Sequence, residues 1–140
     1  MTADTQPFLA SLVQATNAHD LDELVDCFDA TYRNQAPTHP SRDFRGREQV
    51  RDNWRQIFTF VTDVQASILR SATDGSEVWS EWEMTGTRLD GTRHLMRGVI
   101  IFDVRDGRAT SARFYLEPVD EASATVTDAV RAQVHADTRS

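Results

Sequence analysis

The sequence predicts an α+β domain in which three N-terminal helices pack inside a strongly curved antiparallel sheet, with a weak helix at the C-terminus. Three observations carry that expectation. Apolar residues recur at three- and four-residue steps over residues 5–28 and again over 47–60. From residue 64 the apolar period changes to two. Two Asp-Gly pairs, Asp90-Gly91 and Asp106-Gly107, punctuate the later alternating runs, and Asp-Gly in that setting marks tight hairpins.

In order, Phe8, Leu12 and Ala15 give the first helical stripe, with Pro7 suited to a first turn. Residues 17–20 interrupt it, and Leu21, Leu24, Val25 and Phe28 form a second stripe whose acids lie on the solvent side. Residues 30–33 read as a short strand, and 35–45, rich in Pro, Ser, Thr and Asp, as a loop. Val50, Trp54, Ile57, Phe58 and Val61 share a face of the third helix. Val64, Ala66 and Ile68 then alternate up to a turn at residues 73–75. Residues 77–88, 93–104 and 109–117 are the remaining strands, a meander in which sequential neighbours pair. Residues 120–136 carry a weakly amphipathic helical pattern. A curved sheet folded over helices makes a cone with a cavity at its wide end.

Composition narrows the function. The 140 residues suit one domain spanning 1–140, with its core at about 6–118 and a helical tail at 119–140. The net charge is −7, and all fifteen basic residues are arginine. Without lysine there is no Schiff-base chemistry and no phosphate-loop lysine. Residues 1–32 hold six acids and no arginine, while the rest is close to balanced, with sixteen acids against fifteen arginines. No basic stripe exists, so neither nucleic acid nor a membrane is expected as a partner. The single cysteine, Cys27, points to a reducing compartment, and the expected location is the cytoplasm. His19, His39, His94 and His135 are far apart and lack ligand spacing, and no glycine-rich nucleotide loop occurs. Neither metal nor cofactor is expected.

Strand parity sorts the last three strands into two faces. One set is nearly all apolar: Trp82, Met84, Met96, Ile100, Phe114 and Leu116. These line the inside of the cone, as core or as the wall of an apolar pocket. The other set mixes charge with bulk: Trp79, Glu81, Glu83, Arg97, Arg113, Tyr115 and Glu117. Glu81 and Glu83 are placed to pair with Arg97, and Arg113 with Glu117. Trp79, Leu95, Ile101 and Tyr115 are too large and apolar to leave in water, so this face is expected to meet a second copy of the chain.

The pattern as a whole resembles the nuclear transport factor 2-like superfamily, and within it the SnoaL-like group. The resemblance rests on residues 21–25 leading to Phe28-Asp29-Ala30-Thr31-Tyr32, on Phe44-Arg45-Gly46-Arg47-Glu48-Gln49-Val50, on Thr85-Gly86-Thr87 before Asp90-Gly91, and on residues 98–102 with Asp106-Gly107-Arg108. It covers about residues 6–118 and implies the cone fold, which hosts enzymes, carriers and dimerisation modules. Tyr32-Arg33-Asn34-Gln35-Ala36-Pro37 is similar to the segment with which limonene-type epoxide hydrolases hold a water, so Tyr32 and Asn34 match the water-holding pair. The charged residues that activate that water fall on Trp82, Met84 and Phe114 here, all apolar. Likewise the phenol, base and buried acid of the ketosteroid isomerases fall on Leu12, Asn34 and near Ile100. Polyketide cyclases of the fold use an aspartate and a histidine. His94 faces inward with Met96, but no carboxylate shares its face.

The resulting expectation is a protein that binds a small, largely apolar molecule in the cone. Tyr32 and Asn34 are the candidate catalytic residues, Tyr32 as donor or weak acid. Trp54, Phe58, Trp82, Met84, His94, Met96, Ile100, Phe114 and Leu116 form the pocket. Cyclisation, isomerisation or dehydration of a natural-product intermediate fits such a site, achieved by holding the substrate in one conformation. A first alternative is a non-catalytic, accessory homodimer with a filled interior. A second is an epoxide hydrolase using Glu83 or Glu117 as its acid, which requires a β-bulge to turn either one inward.

Overall fold

The computed structural model describes residues 4–121 and 123–135. Its elements are α1 (Thr5–Asn17), α2 (Leu21–Asp26), β1 (Phe28–Gln35), a short 3-10 turn (Pro40–Arg42), β2 (Phe44–Arg45), α3 (Arg47–Phe60), β3 (Gln65–Asp74), β4 (Glu77–Thr87), β5 (Arg93–Arg105), β6 (Arg108–Pro118) and α4 (Val126–Val134). This is the expected α+β cone, helices held in a curved six-stranded sheet.

The break between α1 and α2 is built by side chains that reach the sheet. Asn17 clasps the backbone of Ala66 with both ends of its amide, at 2.7 and 3.0 Å. His19 adopts a left-handed backbone, stacks on Phe58 at 5.0 Å and bonds the Val64 carbonyl oxygen at 2.8 Å. Asp20 then caps α2 by accepting from the Glu23 amide. The turn is thus a brace between helix and sheet.

The strand order is β2-β1-β6-β5-β4-β3. β3 to β6 form the antiparallel meander read from the turns. β1 completes the sheet by pairing with β6 in parallel, and the two-residue β2 pairs antiparallel with β1. The first strand is longer than its four-residue expectation because β6 and β2 supply hydrogen-bond partners along its length, which no local pattern reveals. A two-residue strand has no alternation to read, so β2 lay hidden in the loop.

Apolar burial closes the cone. Phe8 and Leu12 of α1, Leu24 and Val25 of α2 and Val50 of α3 pack on the inner sheet face with Trp82, Met84, Ile100 and Phe102. Phe8 meets Phe102 edge to face at 4.9 Å. Cys27 is buried beside α2. Burial, then the charges of Asp26 and Glu23, push its thiol up to about 11, so it is an inert core residue and not a nucleophile.

The outer face follows parity. Trp79 stands half in water. Arg97 lies opposite both Glu83 and Glu117 and bonds Glu83 at 2.8 Å. Glu81 takes Arg70 of β3 rather than Arg97, at 2.9 Å. Arg113 donates to the Tyr115 hydroxyl at 3.2 Å and not to Glu117, whose carboxylate is engaged elsewhere. At the C-terminus the helix occupies Val126–Val134 of the expected 120–136, of which residues 122 and 136 lie outside the described residues. Among the described residues no helix is long and apolar enough to cross a membrane.

Candidate functional site

Alternation along β1 sends Tyr32 and Asn34 to the same, inner face. Tyr32 is 1% exposed. Its ring lies edge-on to Phe28 at 4.8 Å and tilted to Phe44 at 6.1 Å. Its carbonyl oxygen accepts from Gly46, which ties β1 to the entry of α3. The hydroxyl donates to Asn34 Oδ1 at 2.7 Å. Burial holds the phenol pKa well above its ordinary value. The hydroxyl proton is thus directed at the amide, and burial disfavours the ionised phenol.

That bond also sets the amide. With Oδ1 accepting from the tyrosine, Nδ2 points its two hydrogens away from Tyr32. Among the described residues it has no protein partner, and it is not sealed from solvent. An engaged carbonyl end polarises the amide and strengthens the donor at its other end. Asn34 is half-buried, so this donor sits at the boundary between core and solvent.

The apolar wall divides by depth. Trp82, Met84 and Ile100 are buried core residues. Trp82, 1% exposed, donates its indole N–H to Ser80 Oγ at 2.7 Å, and Ser80 donates to the Ile100 carbonyl oxygen at 2.7 Å. The deep cone is thus filled by a ring locked through a satisfied polar chain. Trp54, Phe58, Met96, Phe114 and Leu116 are half-buried and pack against that core. Trp54 tilts against Phe58 at 5.6 Å, and Phe114 meets Phe102 edge-on at 6.4 Å. Parity alone left filled and open interiors equal. Packing buries Trp82, Met84 and Ile100 and leaves the rings of Trp54, Phe58 and Phe114 part-exposed.

His94 faces inward, opposite Gly86. Burial first, and Arg88 second, lower its pKa, so the imidazole is neutral near pH 7. Among the described residues no hydrogen bond or ring contact joins it to Tyr32 or Asn34. Asn34 is level with Ala112 and Phe102 in the register, eight residues from His94 along β5. At about 3.4 Å per residue that is roughly 27 Å of strand.

The sheet does not turn inward either glutamate that the epoxide hydrolase alternative requires. Glu83 and Glu117 both point outward, Glu83 to Arg97 and Glu117 to His39, whose Nε2 lies 3.0 and 3.1 Å from its carboxylate oxygens. The register shifts fall between Ile68 and Arg70, Asp103 and Val104, and Phe28 and Arg33, so none turns either glutamate inward. The His39–Glu117 link pins the 36–43 loop beside β6. It joins residues 78 apart, and no local signal announced it. Among the described residues no cluster of three or more His, Cys, Asp or Glu is arranged to hold a metal.

Known structures share the architecture. An epoxide hydrolase of M. tuberculosis described as LEH-like aligns over 99% of this chain and 98% of its own, at 20% identity and TM-score 0.71. IdmH, a putative polyketide cyclase from Streptomyces antibioticus, aligns over 80% of this chain and 91% of its own, at 21% identity and TM-score 0.69. A protein with a ketosteroid isomerase-like fold from Catenulispora acidiphila, in complex with trimethylamine, aligns over 86% and 90%, at 16% identity and TM-score 0.66. At these identities the likeness is one of fold. No curated protein matches the chain. The SnoaL-like domain model matches residues 9–112, from α1 into β6, and the chain belongs to the SnoaL-like family.

Proposed function

We propose that this protein binds a small, largely apolar molecule at the wide end of the cone and holds it by a hydrogen bond from Asn34 Nδ2 to a ligand oxygen. The observation that carries this is the amide itself: one end fixed by a buried tyrosine, the other a donor without a protein partner among the described residues. Trp54, Phe58, Met96, Phe114 and Leu116 supply the apolar wall, while Trp82, Met84 and Ile100 form its floor. A fixed donor with no carboxylate beside it on β4 or β6 suits a ketone, ester or ether oxygen. Reaction, where it occurs, comes from confinement and from polarising that oxygen. Cyclisation, isomerisation or dehydration of a natural-product intermediate has this character, and a putative polyketide cyclase is among the proteins of like fold.

The test is a panel of cyclic ketones and the matching hydrocarbons, titrated by calorimetry. The ketones are expected to bind more tightly. Asn34→Leu is expected to weaken them about tenfold, the order of one hydrogen bond with an acceptor left unpaired, and to spare the hydrocarbons. Tyr32→Phe, which releases the amide to rotate, narrows the same difference. Equal binding of both classes in all three proteins would sink the assignment.

The filled depth around Trp82 favours a second reading, an accessory homodimer without chemistry. Both readings place the second copy on the outer face, where Trp79 stands half in water, two residues from the Glu81 that pairs with Arg70. Sedimentation velocity is expected to show a dimer, and Trp79→Glu a monomer with an unchanged circular dichroism spectrum. A wild-type monomer at micromolar concentration removes that interface.

A further inference from the structure

α4 presents Val126, Val130 and Val134 in one stripe, exposed by 81%, 49% and 66%. Its start is well specified: Thr125 and Asp128 form a reciprocal capping box. Yet a nine-residue helix is too short to be stable alone in water, so its valines need an apolar surface to pack on. A second unpartnered apolar surface lies on the same chain. Phe60, at the end of α3, and Leu89, at the tip of the β4–β5 hairpin, are exposed by 53% and 66%. Together with Ile57 and Val61 they line a cleft of about 550 Å³.

The chain brings the two within reach. The Val119 amide donates to the Leu95 carbonyl oxygen, so the tail leaves the sheet beside the start of β5, at the foot of the hairpin that carries Leu89. Six residues, 120–125, then precede α4. Fully extended, such a link spans about 20 Å. The cleft is bordered by Arg88 and Asp90, and the flank of α4 carries Asp128 and Arg131, which pair with each other at 3.7 Å. A tether this short gives a helix docking on its own chain a higher effective concentration than a partner in free solution has.

We propose that α4 is a strap that docks on its own chain, seating Val126, Val130 and Val134 in the cleft formed by Ile57, Phe60, Val61 and Leu89. Docking covers both exposed apolar surfaces at once. It also places the helix beside the end of β4, because Val61 packs on Gly86, the residue opposite His94.

Hydrogen exchange on the full-length protein tests this. The amides of residues 129–134 are expected to exchange at least about tenfold more slowly than in an unfolded peptide, with protection unchanged on dilution. In the double variant Phe60→Ser/Leu89→Ser the protection is expected to vanish. Both positions are exposed, so the body of the variant stays folded, which the exchange of the β4–β6 amides reports in the same experiment. Exchange of α4 at unfolded-peptide rates in the wild type overturns the strap. Protection that falls on dilution assigns the stripe to a second copy, and protection that survives the double substitution assigns it to another surface; either overturns the proposal. Asn34 takes no part, so ligand binding and docking stand or fall separately.

Discussion

Replacing Gly98 with alanine is expected to be the most damaging single-atom change in this chain. A methyl at this position points into the backbone of β6, directly onto the Tyr115 carbonyl oxygen and 2.8 Å from Leu116 Cα. Neither neighbour is the flexible end of a side chain. The Gly98 backbone also has φ +149, where L side chains are strained. Strain and overpacking together predict a loss of about 3–5 kcal/mol. Urea unfolding followed by tryptophan fluorescence measures it, with Gly75→Ala as reference. Gly75 also has positive φ, but nothing lies near its missing methyl, so about 1 kcal/mol is expected there. Equal losses at the two sites would show that β5 and β6 are not pressed together at Gly98.

Trp82→Ala is the second large effect, and it bears on function. The ring fills the deep cone, 1% exposed and held through Ser80. Its removal is expected to destabilise the protein by about 3–5 kcal/mol and to leave a void lined by apolar side chains. Such a void stays dry and accepts an apolar guest. Indole is therefore expected to raise the melting temperature of the variant and to leave the wild type unchanged. A variant as stable as the wild type, with no response to indole, would mean that the cone is hollow around Trp82 from the start.

The same residue shows how far the sequence could be read. Its inward direction follows from alternation along β4, and so do the directions of Met84, Met96, Ile100, Phe114 and Leu116. Alternation is local: each residue's face depends only on its neighbours in a regular strand. The outward charges of Glu83 and Arg97 were legible for that reason, as was α3 from its amphipathic stripe. Depth is not local. Whether an inward residue lies at the floor or near the opening depends on how the helices seat against the sheet, and that separated Trp82 and Ile100 from Trp54 and Phe58.

The candidate site divides along the same line. Residues two apart on a strand must share a face, so the neighbourhood of Tyr32 and Asn34 was visible at once. The direction of the hydrogen bond between them was not. The phenol donates its hydrogen bond to the amide while the fold buries the ring between Phe28 and Phe44, and this is why the proposed ligand donor is Asn34 rather than Tyr32. Nor was the distance between His94 and Asn34 legible, since it follows from β1 pairing in parallel with β6, a contact between distant parts of the chain.

By itself the sequence determined the α+β order, the faces of the long strands and the absence of a carboxylate from the inner face of β4 and β6. Periodicity, turn chemistry and residue identity suffice for those. Tertiary structure alone decided which apolar residues fill the cone, that Glu117 is taken by His39, and which end of the Asn34 amide Tyr32 engages. Each of these depends on groups far apart in the chain competing for the same space or the same proton, and only packing resolves that competition.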